Sequence, residues 1–230
     1  MGEMVSYPSD GATSEGYLAL PRSAAAAPGV IVIQEWWGLV SHITTVADRF
    51  ADAGYVALAP DLFHGATTTE PDEARTLLMG LAMDTAARDI GAAADYLAGL
   101  PQAQPHTGVA AVGFCMGGSL ALWSATLSDR VQLAVGFYPT IPWERMRPEW
   151  PEFAGKTAVI HCSEADGSSQ APGIQTARGA IVQAGGECDL YDYPGTKHAF
   201  FNDDRPEVFD PEAAASAWAR TLDALRTRLG

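Results

Sequence analysis

The chain reads as an α/β protein built on a mostly parallel sheet, and three observations predict this. Short apolar runs rich in Val, Ile and Ala alternate along the chain with longer segments whose apolar residues recur at helical spacing. The runs are apolar throughout rather than alternating, as expected of strands covered on both faces. Near mid-chain, residues 108–122 (GVAAVGFCMGGSLAL) pass from an apolar run through closely set glycines into a helical pattern.

The elements follow in order. Residues 5–20 flank Asp10-Gly11, a dipeptide suited to the positive φ angles of a tight turn, and predict an antiparallel hairpin. Residues 22–28, with four alanines, form a connector. Core strands are predicted at 30–34, 55–59, 109–114, 133–138, 157–162 and 188–193, which with the hairpin make an eight-stranded sheet. Helices are predicted at 42–53, 71–100, 116–127, 173–184 and 211–229, the second dividing in two because it holds Gly80 and Gly91. Residues 139–155, with four prolines and two tryptophans, read as an excursion over the sheet edge. No internal repeat or linker breaks the 230 residues, which predicts one domain over 1–230.

Composition narrows the function classes. Hydrophobic residues make up 47% and charged residues 18%, enough apolar surface for a sizeable core. Fourteen Lys plus Arg against 28 Asp plus Glu give a net charge of −14, which repels nucleic acid and anionic bilayers at long range. No basic leader precedes an apolar run, and no stretch reaches the roughly 18 apolar residues of a membrane span. Cys115, Cys162 and Cys188 are odd in number and lack CxxC spacing, which argues against a disulfide framework or zinc ribbon and for a reduced, cytoplasmic setting. No metal or organic cofactor is expected, and the partner is a small molecule acting on a monomer or small homo-oligomer.

Gly113 and Gly117 bracket Cys115 as G-x-C-x-G between a strand and a helix, the nucleophile-elbow pattern with sulfur in place of the usual oxygen. Such a turn forces its central residue into a strained conformation and presents the side chain above the sheet. The helix N-terminus favours a thiolate, and the Met116 N–H can face an oxyanion. The bland alternative is a small buried cysteine.

An elbow needs an acid and then a histidine downstream. Residues 157–162 end in Ser163-Glu164-Ala165-Asp166, where Asp166 is the expected orienting acid and Glu164 its competitor. Residues 188–193 lead into Pro194-Gly195-Thr196-Lys197-His198, making His198 the expected general base. His42, His64, His106 and His161 are weaker candidates, His161 because it falls within a strand and His64 because it sits in a turn. The first core strand ends in Gln34-Glu35-Trp36-Trp37-Gly38, where this topology supplies a second oxyanion N–H, assigned to Trp36.

Four segments, QEWWG, PDLF, GFCMGG and HAFFN, together resemble the dienelactone hydrolase (carboxymethylenebutenolidase) family of the α/β-hydrolase superfamily. The resemblance implies an α/β-hydrolase fold, a triad on Cys115, Asp166 and His198, and hydrolysis of an enol-lactone within aromatic degradation, without metal or cofactor. It also implies that Glu35 bonds the resting thiol and is displaced by an anionic substrate. Two arginines hold the substrate carboxylate in the family, one of them four residues after the triad histidine. That position is Asn202 here, leaving Arg205, Arg75 and Arg88 as candidates, with Trp37 and Tyr138 as pocket walls. The alternatives are an esterase or thioesterase without dienelactone preference, and a thiol redox sensor in which Cys115 is oxidised rather than acylated.

Overall fold

The computed structural model describes all residues except 24, 105–107, 141 and 142, so His106 lies outside the described residues. One sheet of eight strands organises the chain, in the order β1-β2-β4-β3-β5-β6-β7-β8. The hairpin strands β1 (Glu3–Ser9) and β2 (Ala12–Ala19) pair antiparallel about Asp10 and Gly11, both at positive φ, and β2 joins β4 (Val56–Pro60) antiparallel. The remaining pairings are parallel, through β3 (Gly29–Ile33), β5 (Val109–Phe114), β6 (Val131–Phe137), β7 (Thr157–Ser163) and β8 (Glu187–Tyr193).

The parallel strands β3 to β7 are buried nearly throughout, as their apolar runs require, and successive residues feed opposite faces. Ile31, Ile33 and Ala111 face a core shared with α3 (Met83–Gly99), α4 (Met116–Leu127) and α6 (Pro172–Gln183). Val30, Val32, Val112 and Phe114 face a second core with α1 (Ser41–Asp52) and α7 (Pro211–Leu229). The predicted division of residues 71–100 occurs at Gly80, where α2 (Pro71–Gly80) ends, whereas Gly91 is carried inside α3. A lone glycine inside a helix weakens it by about 1 kcal/mol, too little to break seventeen packed residues.

The described part of residues 139–155 does leave the sheet, carrying the single helical turn α5 (Trp143–Met146) and a 3₁₀ turn at Trp150–Phe153 that lays Phe153 on the α4 side. Helix α4 is apolar on all sides and buried along eleven of its twelve residues. Its C-terminal carbonyls have no basic residue of their own helix, and the buried Lys156 supplies the cation, Nζ donating to Ala125 O (2.7 Å) and Ser128 O (3.0 Å). Among the described residues, no helix is long and apolar enough to cross a membrane, and no group of three or more His, Cys, Asp or Glu is placed to hold a metal.

Candidate active site

The carboxyl ends of β3, β5, β6 and β7 and the loop after β8 converge at one edge of the sheet. Cys115 links β5 directly to α4 with φ 55° and ψ −117°, a backbone region costly for a side-chain-bearing residue. The turn closes only because Gly113 and Gly117 lack side chains: a Cβ on Gly113 would overlap Gly117 O, and one on Gly117 would overlap Ile33 O. Strand β3, strand β5 and helix α4 therefore meet at backbone contact beside Cys115.

His198 sits in the loop after β8, its Nδ1 2.7 Å from Asp166 Oδ2. Asp166 lies in a 3₁₀ turn (Glu164–Asp166) at the end of β7, and the Ser163 hydroxyl donates to the same oxygen. Burial works to raise the Asp166 pKa, but the hydrogen bonds from His198 and Ser163 hold it below the ordinary carboxylate value. Burial likewise works to lower His198, yet its hydrogen bonds with Asp166 and Cys115 push it up to about 10. The competing acid is engaged elsewhere, since Glu164 Oε2 accepts from the Gly195 N–H (2.6 Å), and beside it Ala165 N–H donates to Thr196 O (3.2 Å). These bonds brace the acid-bearing loop against the histidine-bearing one.

Around the thiol, Sγ lies 3.6 Å from Thr140 Oγ1. Met116 opens α4, so its N–H is one of the helix's first four without an intrahelical acceptor. Neither it nor the Trp36 N–H is bonded to a described residue. The loop carrying Trp36 is tied down where Gln34 Oε1 accepts from the Leu62 N–H (3.1 Å).

Glu35 departs from the expectation. Both its oxygens accept from elsewhere: Oε1 from the Tyr138 hydroxyl (3.3 Å), Oε2 from Asn202 Nδ2 (2.8 Å). Among the described residues no hydrogen bond joins Glu35 to the Cys115 thiol. Tyr138 is fully buried at φ 39°, and its ring meets the His198 ring edge-on at 5.0 Å, so it touches both the carboxylate and the imidazole. Its hydroxyl pKa is raised well above the usual value by burial first and by Glu35 next.

The candidate arginines are not gathered at the site. Arg75 stands exposed on α2, and Arg88 bonds Thr85 and lines a cleft with Trp123 and Leu127 at the far end of α4 from Cys115. Helical periodicity places both on solvent faces, and no contact turns them inward. Arg205 is nearer, its guanidinium over the Trp37 ring (5.3 Å), but it is paired with Glu207 (2.9 Å). A cavity of about 420 Å3 opens there, lined by Trp37, His42, Thr68, Asn202 and Arg205 among others. Roomier clefts, about 670 and 710 Å3, lie at the strands' amino ends and along β8 and α7.

Of the other histidines, His161 is buried between the Tyr193 hydroxyl (2.9 Å) and Thr221 Oγ1 (3.0 Å), and burial drives its pKa down to about 3. His42 is buried with Nδ1 3.1 Å from Asp203, and His64, in a turn, lies 3.4 Å from the buried Asp89. Sequence reasoning misses the parts played by Thr140 and Ser163. Asn202 stands out in the sequence only as a missing arginine, and nothing local marks it as Glu35's partner.

Comparison with known proteins accords with this architecture. The family model described as "Dienelactone hydrolase family" matches residues 14–229. Protein usf of Aquifex pyrophilus is 32% identical over 241 residues, covering 96% of each chain. An Aquifex aeolicus protein named "Putative carboxymethylenebutenolidase" is 29% identical over the whole of both chains. Among solved structures, a dienelactone hydrolase-like promiscuous phosphotriesterase from metagenomic libraries superposes with a TM-score of 0.83 at 21% identity, covering 100% of this chain and 99% of its own. With the match running from the first hairpin to the last helix, the chain belongs to the dienelactone hydrolase family, carboxylic ester hydrolases of the α/β-hydrolase fold.

Proposed function

We propose that this protein hydrolyses a carboxylic ester or lactone through a Cys115-His198-Asp166 triad and a thioester acyl-enzyme. The observation that carries the reading is the convergence of the strained Cys115 with His198, itself bonded to Asp166, at the carboxyl edge of the sheet. With Nδ1 held by Asp166, the other ring nitrogen of His198 takes the Cys115 thiol proton as general base and so generates the attacking thiolate.

The thiolate adds to the carbonyl carbon, and the carbonyl electron pair moves to oxygen, where the Met116 and Trp36 N–H groups receive it. Each such donor is worth about 3 kcal/mol. Collapse breaks the C–O bond, and the departing alkoxide takes its proton from His198. Water then attacks the thioester, giving a proton to the now neutral His198. Collapse of the second intermediate expels the Cys115 thiolate and leaves the carboxylic acid, which ionises into solvent. Asp166 holds the ring so that Nε2 serves the reaction, and stabilises the imidazolium.

The test is rapid quenching of enzyme with a para-nitrophenyl ester, followed by intact and peptide mass spectrometry. An acyl mass on Cys115 is expected, together with a loss of at least about three orders of magnitude in kcat/KM for Cys115→Ala. Undiminished turnover by Cys115→Ala would overturn the reading.

A further inference from the structure

Strand β6 ends at Phe137, and the chain then turns at Tyr138, which holds a bulky side chain at φ 39°. Such a backbone is costly for any residue but glycine and persists only where the surroundings fix it. Here the Tyr138 N–H donates to His161 O (2.8 Å), and its ring packs against those of Phe114, His198 and Phe200. Pro139 fixes the next φ, and Thr140 follows. Strand register sets where Thr140 arrives: β5 and β6 pair Phe114 with Phe137, and the Cys115 N–H donates to Phe137 O (3.0 Å). The strained turn therefore carries Thr140 back to the nucleophile.

The Thr140 hydroxyl lies 3.6 Å from Cys115 Sγ and has no other partner among the described residues, although Thr140 is exposed and free to turn toward water. Cys115 itself is buried. Among the described residues, the hydrogen-bonding neighbours of the sulfur are the His198 ring and this hydroxyl. Once His198 has taken the thiol proton, the sulfur can only accept, so the bond between the two side chains requires Thr140 to donate. A hydrogen bond to an ionised acceptor is stronger than one to a neutral acceptor. The contact thus strengthens whenever charge sits on sulfur, before attack on the carbonyl and again when the thioester collapses.

We infer that Thr140 is a further catalytic residue, whose hydroxyl donates to the Cys115 sulfur and stabilises it as a thiolate both as nucleophile and as leaving group. The hydroxyl keeps its proton throughout; proton transfer belongs to His198. The inference rests on the hydrolase reading above.

The experiment follows alkylation of Cys115 by iodoacetamide between about pH 5 and pH 9, read by peptide mass spectrometry on the full chain. Burial holds the Cys162 and Cys188 thiols up at about 12, so neither competes in this range. Thr140→Val removes the hydroxyl and keeps the branched shape. It is expected to raise the midpoint of the Cys115 profile by about one pH unit and to slow alkylation below that midpoint about tenfold. The rate at the alkaline plateau should not fall, since nucleophilicity rises with thiol pKa. Thr140→Ser should restore the wild-type midpoint. The titratable groups facing the sulfur stay in place in these variants: His198 with Asp166 behind it, and the Tyr138 hydroxyl with Glu35 behind it.

With para-nitrophenyl acetate, kcat/KM of Thr140→Val should fall about tenfold at low pH, the deficit narrowing as pH rises. An unmoved alkylation midpoint in Thr140→Val, or a Thr140→Ser that behaves like it, overturns the inference and leaves the hydrolase reading intact. So does alkylation that quickens at every pH with the midpoint unchanged, which would make Thr140 a mere cover over the sulfur. Absence of Cys115-dependent ester turnover in the wild type removes the hydrolase reading, and with it the part of Thr140 in catalysis. Circular dichroism checks that each variant folds, and should Thr140→Val fail to, Thr140→Ala carries the same expectation.

Discussion

Gly113 and Gly117 cross at backbone contact, so that no side chain fits on the strand residue without displacing the Gly117 carbonyl on the helix. The strain at Cys115 is held there by the burial of β5 and α4 on both sides of the turn. Overpacking that neither strand nor helix can relieve is among the few changes that cost more than about 4 kcal/mol. Gly113→Ala is therefore expected to lower the urea unfolding midpoint steeply or to abolish soluble expression. Gly179→Ala, on the exposed face of α6 where an added Cβ meets nothing within 4 Å, should be neutral or stabilise by up to about 1 kcal/mol. Equal behaviour of the two variants would show that the crossing is not as tight as described.

The pairing of His198 with Asp166 makes a signed prediction about pH. A histidine titrates near 6.5 when unfolded and near 10 here, burial being outweighed by the hydrogen bonds to Asp166 and Cys115. The native state thus binds the proton more tightly, and the stability this contributes is fully present below about pH 6.5 and lost as pH rises through about 10. The His198 ring resonances should titrate near 10 in the wild type and distinctly lower in Asp166→Asn. That variant should also lose about four orders of magnitude in kcat through misorientation of the ring. A wild-type His198 titrating at 6.5 would contradict the arrangement.

His161 predicts the opposite slope. Burial depresses its pKa to about 3, and its two ring nitrogens are occupied by Tyr193 and Thr221. Its contribution to stability is fully present above about pH 6.5 and is lost as pH falls through about 3, because the unfolded state takes up a proton that the native state refuses. The urea midpoint should therefore fall between pH 7 and pH 4.5 more steeply in the wild type than in His161→Gln. Parallel slopes for the two proteins would rule out a neutral buried imidazole. Activity per folded molecule should change little, since His161 lies below the site within β7.

Much of the architecture is legible in the order of residues alone. Helix α4 begins and ends where the spacing around Cys115 predicts, and each of the eight strands lies within two residues of its predicted bounds. The misplacements are local: β6 stops at Phe137, leaving Tyr138 at positive φ, and the 139–155 excursion contains short helical turns that its prolines and tryptophans do not advertise.

By itself the sequence determined the elements and the order of Cys115, Asp166 and His198 along the chain, because helical and strand periodicity and the glycine requirement of a tight elbow are properties of neighbouring residues. Tertiary structure alone decided between the two acids, turning Asp166 to His198 and Glu164 to the Gly195 N–H. It also paired Asn202 with Glu35 across 167 positions, and left Arg75 and Arg88 facing outward. Which side chain a carboxylate meets depends on how separate strands and loops come together at the edge of the sheet, and no local pattern encodes that distance.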